Sequence, residues 1–288
     1  MLYMIGLLAV AVLAVLQFLL KPGSDTLLTR LISGAILILL ALLSIGSGGW
    51  VLLVTLLLLS LAGMLELFRA TGIRTEGRPN LLEGFGYLAC GVYYLCLWFL
   101  PSGASWIGIP LALILLLALY VFTYPRFAYA EIVPVFFVFF YLAVMMSCIY
   151  MVRQLEGGRW LVWLIFLSAW GCDTFAYCAG RFLGKHKMSP VLSPNKTIEG
   201  AVGGVAGAVV LGALYALITR ASVPAYMLIT LAGALVSMIG DLAASAIKRN
   251  MQIKDYGSLI PGHGGVLDRF DSILFTAPVV YLLAVLLL

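Results

Sequence analysis

Apolar runs of about 20 residues alternate with short polar clusters along the whole chain. An α-helix rises ~1.5 Å per residue, so ~20 residues cross a hydrocarbon layer of ~30 Å. The pattern predicts ten spans, at about 2–20, 31–48, 50–68, 82–100, 107–124, 131–151, 160–180, 199–219, 224–247 and 268–288. Backbone groups in lipid must be satisfied internally, which favours helices, and the alternating strands of a membrane β-barrel do not appear. The predicted fold class is all-α: a polytopic integral membrane protein of about ten transmembrane helices. No basic residue precedes the first run and no small-x-small cleavage site follows it; Lys21-Pro22-Gly23 comes next, so this segment is expected to be retained as a span.

Composition agrees: 64% of the 288 residues are AVILMFWYC and 10% are charged, against roughly 25% charged in a soluble domain. The charges are placed unevenly. Fourteen of the 17 basic residues fall in the first, third, fifth, seventh and ninth loops; Arg153, Arg159 and Arg220 are the others. Basic loops stay on the cytoplasmic side, so both termini are expected outside and the odd loops inside. Of the 12 acids only Glu156 falls in an outer loop. The net charge of +5 therefore describes a mixed-charge inner face against anionic lipid, with no nucleic-acid-binding motif. The five cysteines lie in apolar spans without CxxC pairing, which leaves zinc and disulfide roles without support.

The two halves differ, and we divide them as a scaffold, 1–158 with spans 1–6, and a catalytic region, 159–288 with spans 7–10. The second half holds two long inner loops and the two deepest acids. Asp173 lies eight residues before Arg181 and Asp241 seven before Lys248, ~12 Å and ~10 Å from the charged rim at ~1.5 Å per residue. An ionised carboxylate within a span costs about 2.5–3.5 kcal/mol even on the lenient insertion scale, so such groups face a cavity or a partner. Asp241, Ser245 and Lys248 share one helical face, as do Asp268 and Asp271. Asp241 alone reads equally well as the structural partner of Lys248, Arg249 or Arg269. Asp241, Asp268 and Asp271 together, beside a loop of Gly262, Gly264 and Gly265 with basic flanks, favour Mg²⁺ next to phosphate. Amides at the start of span 10 are expected to favour phosphate as well. The glycines of span 8, Gly200, Gly203, Gly204 and Gly207, are expected to serve helix packing rather than a phosphate cradle.

The segment 245–271 resembles the signature of the phosphatidate cytidylyltransferase (CDP-diacylglycerol synthase) family. The matching residues are Ser245, Lys248-Arg249, Lys254-Asp255, Gly257, His263-Gly264-Gly265, Asp268-Arg269 and Asp271. A second block is similar to the same family: Asp173, Tyr177, Gly180, Gly184-Lys185, Ser193-Pro194, Lys196-Thr197 and Glu199-Gly200, with Asn195 where the family commonly has a second lysine. The close resemblance covers about residues 170–275.

The resemblance implies attack of a phosphatidate oxygen on the CTP α-phosphorus with loss of pyrophosphate, at the cytosolic boundary of the inner membrane. It implies CTP, phosphatidic acid and membrane lipids as partners, and a homodimer. On that basis Asp241, Asp268 and Asp271 are assigned to the metal, with Lys248 acting beside them. Arg249, Lys254 and Arg269 offset phosphate charge, and Ser193, Lys196 and Thr197 take CTP. Asp173 holds a second cation or orients a basic partner. Ser245, His263, Gly264 and Gly265 are assigned to substrate. A phosphate monoester has a second pKa near ~6, so His263 is read as a phosphate contact rather than a general base. A CTP-using lipid kinase is the nearest rival and would release CDP. A transporter would explain the deep acids but leave the Gly/Lys/Asp loop unused. CDP-alcohol phosphotransferases lack support because their acidic pattern is missing. A P-loop is excluded because Gly180 to Lys185 is one residue short.

Overall fold

A computed structural model describes residues 36, 39–74, 80–101, 103–260 and 264–288. Among them, eight helical segments are long and apolar enough to cross a membrane, and each coincides with one of the last eight predicted spans. The all-α polytopic architecture is thus observed. The span expected at 2–20 lies outside the described residues, as do 31–35, 37 and 38 of the second; its residues 39–47 are helical.

The first crossings are α1 (Gly49–Ala70), α2 (Leu81–Phe99) and α3 (Gly108–Thr123), the last entered through a 3₁₀ turn at Ser105–Ile107. The next two are compound. α4 (Tyr129–Val138) passes through a π-helical stretch, Phe139–Val144, into α5 (Met145–Gln154). α6 (Gly158–Phe166) passes through a second one, Leu167–Gly171, into α7 (Cys172–Leu183). A π turn widens the helix locally and resets the direction of the residues after it, and here that reset falls immediately before Asp173. A short antiparallel hairpin follows, β1 (Lys187–Ser189) with β2 (Ser193–Thr197). The chain ends with α8 (Ile198–Thr219), α9 (Val223–Asn250) and α10 (Leu267–Leu287). Lys248 and Arg249 occupy the last turn of α9, where cations complement the helix dipole.

Contacts divide the chain into two units. One comprises the described residues up to Ser147 together with Asp255–Arg269; the other comprises Cys148–Lys254 and Phe270–Leu288. The signature loop therefore groups with the N-terminal helices and not with the helices that flank it in sequence.

In the first unit, α1 and α2 bury Leu52, Met64, Leu67, Phe68, Tyr93 and Tyr94. Gly86 makes room for the Phe68 ring, since a Cβ there would stand 2.7 Å from it. Buried hydroxyls find each other, Ser60 with Tyr94 at 2.9 Å and Tyr93 with Ser147 at 3.0 Å, as a site without water requires. Asn80 caps α2 by accepting from the Glu83 amide at 2.9 Å. The buried Glu83 carboxylate accepts from Arg74 at 2.9 Å and from the Tyr87 hydroxyl at 2.7 Å.

In the second unit, α8 packs along α7 and α9, and its small residues set the approach. A Cβ at Gly204 would stand 2.8 Å from that of Ala176, and Gly203 and Gly207 face Ala179 and the Phe175 ring still more closely. The span-8 glycines serve packing. Association in lipid lacks a hydrophobic drive and depends on such close contact. Gly240 does the same for α10: a Cβ there would lie 2.8 Å from the Asp271 carbonyl. The outward faces carry residues such as Phe122, Leu217 and Ile218, suited to lipid.

Candidate active site

The second unit gathers its polar residues at one end of α7, α8 and α9, around the hairpin. Thr197 closes β2 and caps α8, its hydroxyl accepting from the Gly200 amide at 3.1 Å. Three glycines crowd that hydroxyl: a Cβ at Gly180, Gly184 or Gly200 would approach Thr197 Oγ1 within 3.0, 2.9 and 2.9 Å. Glu199, in the first turn of α8, takes the amides of Lys185 (3.0 Å) and His186 (3.2 Å) and the His186 ring Nδ1 (2.6 Å). These contacts hold the hairpin over the cavity below it.

That cavity is about 520 Å³, within the usual range for a ligand pocket. Its walls are Asp173, Tyr177 and Arg181 from α7, Ser193, Asn195, Lys196 and Thr197 from β2, Gly200 and Ala201 from α8, and Met238 and Asp241 from α9. Lys196 Nζ donates to Asp241 Oδ2, with both side chains a little over a quarter exposed. The deep acid thus has a structural partner 45 residues away, on the hairpin, which helical spacing in the sequence does not reveal. Asp173 lies within electrostatic range of both Lys196 and Asp241. Arg181 donates to the Tyr177 hydroxyl at 3.0 Å, one turn apart on α7.

Five of the residues singled out from sequence therefore line one cavity: Asp173, Ser193, Lys196, Thr197 and Asp241. Asp271 is 8% exposed, accepts from the Ser272 amide at 2.7 Å through Oδ1, and feels the charges of Asp241, Asp173 and Lys248. Ser245, Lys248 and Arg249 stand on the last turns of α9, and Lys254 follows in the loop. Among the described residues no three His, Cys, Asp or Glu side chains converge into a closed metal cage. The carboxylates around Asp241 nonetheless fit magnesium, a hard ion that takes one or two carboxylates and completes its shell with water and phosphate oxygens.

The signature loop, in the first unit, is built around two carboxylates. Glu66 near the end of α1, 4% exposed, accepts from the amides of Val266 (2.9 Å) and Leu267 (3.0 Å) at the start of α10. Asp268, expected among the metal ligands, accepts through Oδ2 from the amides of Tyr256 (2.9 Å) and Gly265 (3.0 Å). The amides expected to favour phosphate at the start of this helix are thus occupied by protein carboxylates. The glycines make room for them. A Cβ at Gly257 or Gly265 would stand 2.7 or 2.5 Å from the Glu66 carboxylate. Gly264, at φ +84°, faces Asp268 and accepts from the Ile260 amide at 2.9 Å. Arg269 stands in the first turn of α10, and His263 lies outside the described residues. Glu66 was not singled out from sequence: it sits in an apolar run, with Arg69 three residues on as its obvious local partner.

The model of the cytidylyltransferase family matches residues 28–287. The chain belongs to this family. Among similar proteins, the phosphatidate cytidylyltransferase of Bacillus subtilis is 34% identical over 235 residues, 77% of this chain and 84% of that protein. That of Staphylococcus epidermidis is 32% identical over 269 residues, 89% and 98%, and that of Staphylococcus saprophyticus 32% over 248, 83% and 91%. The chain is thus a multi-pass membrane enzyme of the nucleotidyltransferase kind, and the cavity, the hairpin and the signature loop are parts of a cytidylyltransferase.

Proposed function

We propose that this cytidylyltransferase transfers the cytidylyl group of CTP to phosphatidic acid, giving CDP-diacylglycerol and pyrophosphate, with the second unit's cavity receiving the nucleotide phosphates. One observation carries the reading: Lys196, on a hairpin held by Glu199, reaches down to an acid placed deep in a span. A lysine there can pass from Asp241 to an arriving phosphate, and the released carboxylate is then available to a cation.

The chemistry asks for little proton transfer. The lipid phosphate is largely deprotonated at neutral pH, having a second pKa near ~6, so the burden is to hold two anions together and offset their charge. Lys196, Ser193 and Thr197 bind and orient the CTP phosphates. Lys248 and Arg249, on the cytosolic turns of α9, balance the lipid phosphate. Asp241 and Asp271 would hold magnesium, and Asp173 would orient Lys196 or take a second cation. Bound there, the ion supplies neutralisation of charge on the reacting phosphates. Arg269, Lys254, Asp268 and the Gly264-Gly265 turn are assigned to the same reaction by resemblance. The uneven distribution of basic residues supports a site on the cytosolic face of the inner membrane, with both termini outside.

The test is the purified chain with CTP labelled in the α-phosphate, phosphatidic acid in vesicles, and Mg²⁺. Label entering the lipid with one pyrophosphate released per turnover is the expected result. Unlabelled lipid with release of CDP would make the enzyme a kinase and overturn the proposal.

A further inference from the structure

We propose that Glu66 is a positioning residue for the cytidylyl transfer: it fixes the start of α10 and the Gly-rich loop from a helix 200 residues away. The inference rests on the function proposed above. Glu66 lies outside the two signature blocks, though within the residues that the family model matches.

Three observations agree. The carboxylate is 4% exposed and gives one oxygen to each of two successive amides, Val266 at 2.9 Å and Leu267 at 3.0 Å. Amides at a helix start have no partner within the helix, and the helix dipole favours an anion there, so this bond pair acts as a cap supplied from outside. Secondly, two glycines of the signature exist for this carboxylate. For the Cβ built at Gly257 and at Gly265, each of the three nearest atoms belongs to Glu66. Thirdly, Asp268 braces the same loop from within, through Tyr256 and Gly265. Without Glu66 the loop loses this pair of bonds, and Arg269 and the residues beside it lose the position those bonds fix. A displacement of about 1 Å in a reacting group is enough to lower turnover roughly 100-fold.

The experiment compares Glu66→Gln and Glu66→Ala with the native enzyme in vesicles. Turnover per folded molecule should fall, about 10-fold for Gln, which keeps one acceptor oxygen, and about 100-fold for Ala. KM for CTP should stay within about twofold, because the cavity residues are untouched. Amide exchange over residues 255–267 should accelerate about 10-fold or more in both variants while α8 and α9 exchange as before. Gly265→Ala gives an independent arm: alone it should lower turnover, and Glu66→Asp, one methylene shorter, should return a large part of the loss in the double variant. Native turnover in both Glu66 variants, or loop exchange at the native rate, would sink the idea. So would a Gly265→Ala loss of the same size with and without the Glu66→Asp change. If the native enzyme itself makes no CDP-lipid, the proposed function fails, and the exchange arm still decides whether Glu66 holds the loop.

Discussion

Two acids set within apolar helices, Asp241 in the second unit and Glu66 in the first, solve the same problem differently. Each must be partnered, because an isolated charge in a low-dielectric site is prohibitive. Glu66 takes two backbone amides and is almost sealed from solvent. Asp241 takes the flexible ammonium of Lys196 and opens onto a cavity. Amides cannot leave, so Glu66 is a fixture; a lysine on a four-carbon stem can, so Asp241 can exchange partners. The contrast separates a group that holds the enzyme together from one suited to meeting substrate.

The sharpest way to break the contrast is at the exchangeable acid. Asp241→Asn should lower kcat about 1000-fold while the protein stays folded, measured as CDP-lipid formed per folded molecule. Chelation of divalent ions in the native enzyme should abolish turnover to a similar extent, with recovery on adding Mg²⁺; full activity in chelator would remove the metal from the reaction.

A smaller loss is expected at the partner. Lys196→Ala should reduce kcat/KM for CTP about 100-fold and also lower thermal stability, since Asp241 then loses its counter-charge. Adding Asp241→Asn to Lys196→Ala should restore part of that stability without restoring activity. If the double variant melts no higher than Lys196→Ala, the pair does not carry the structural weight given to it. The gentler variant Lys196→Arg keeps the charge but not the compact ammonium, and should fall between the two.

The distinction between these acids was only half legible in the sequence. Apolar runs of ~20 residues report helices directly, because lipid leaves the backbone no other partner, and spans 3–10 appear where the pattern places them. Asp173, Lys196 and Asp241 stood out as polar groups in or beside such runs, and they share a cavity. Their pairing did not stand out, for helical spacing exposes only partners three or four residues away and Lys196 is 45 residues from Asp241. Glu66 was hidden for the same reason: Arg69 offers a local explanation, while its amide partners lie 200 residues on. The π turns before Met145 and Cys172 leave no compositional mark, since they alter hydrogen-bond register and not side-chain type. The signature glycines were visible, but sequence suggested approach to phosphate where the structure shows room for Glu66 and Asp268.

The smallest expected effect lies at Asn195, which lines the cavity next to Lys196 and stands where the family commonly has lysine. Its side chain is exposed, so an added ammonium would act across solvent-screened space. Such charges contribute about 0.2–1 kcal/mol, or roughly a 1.5- to 5-fold change in an equilibrium constant. Asn195→Lys should therefore lower KM for CTP by about that factor with kcat nearly unchanged, because a screened charge acts on bound nucleotide and transition state alike. The gain should shrink as salt rises from low to physiological strength, where the screening length falls to ~8 Å. A fall in KM that persists in high salt would mean a direct, desolvated contact instead, and Asn195 would then belong with Lys196 among the groups that grip the phosphates.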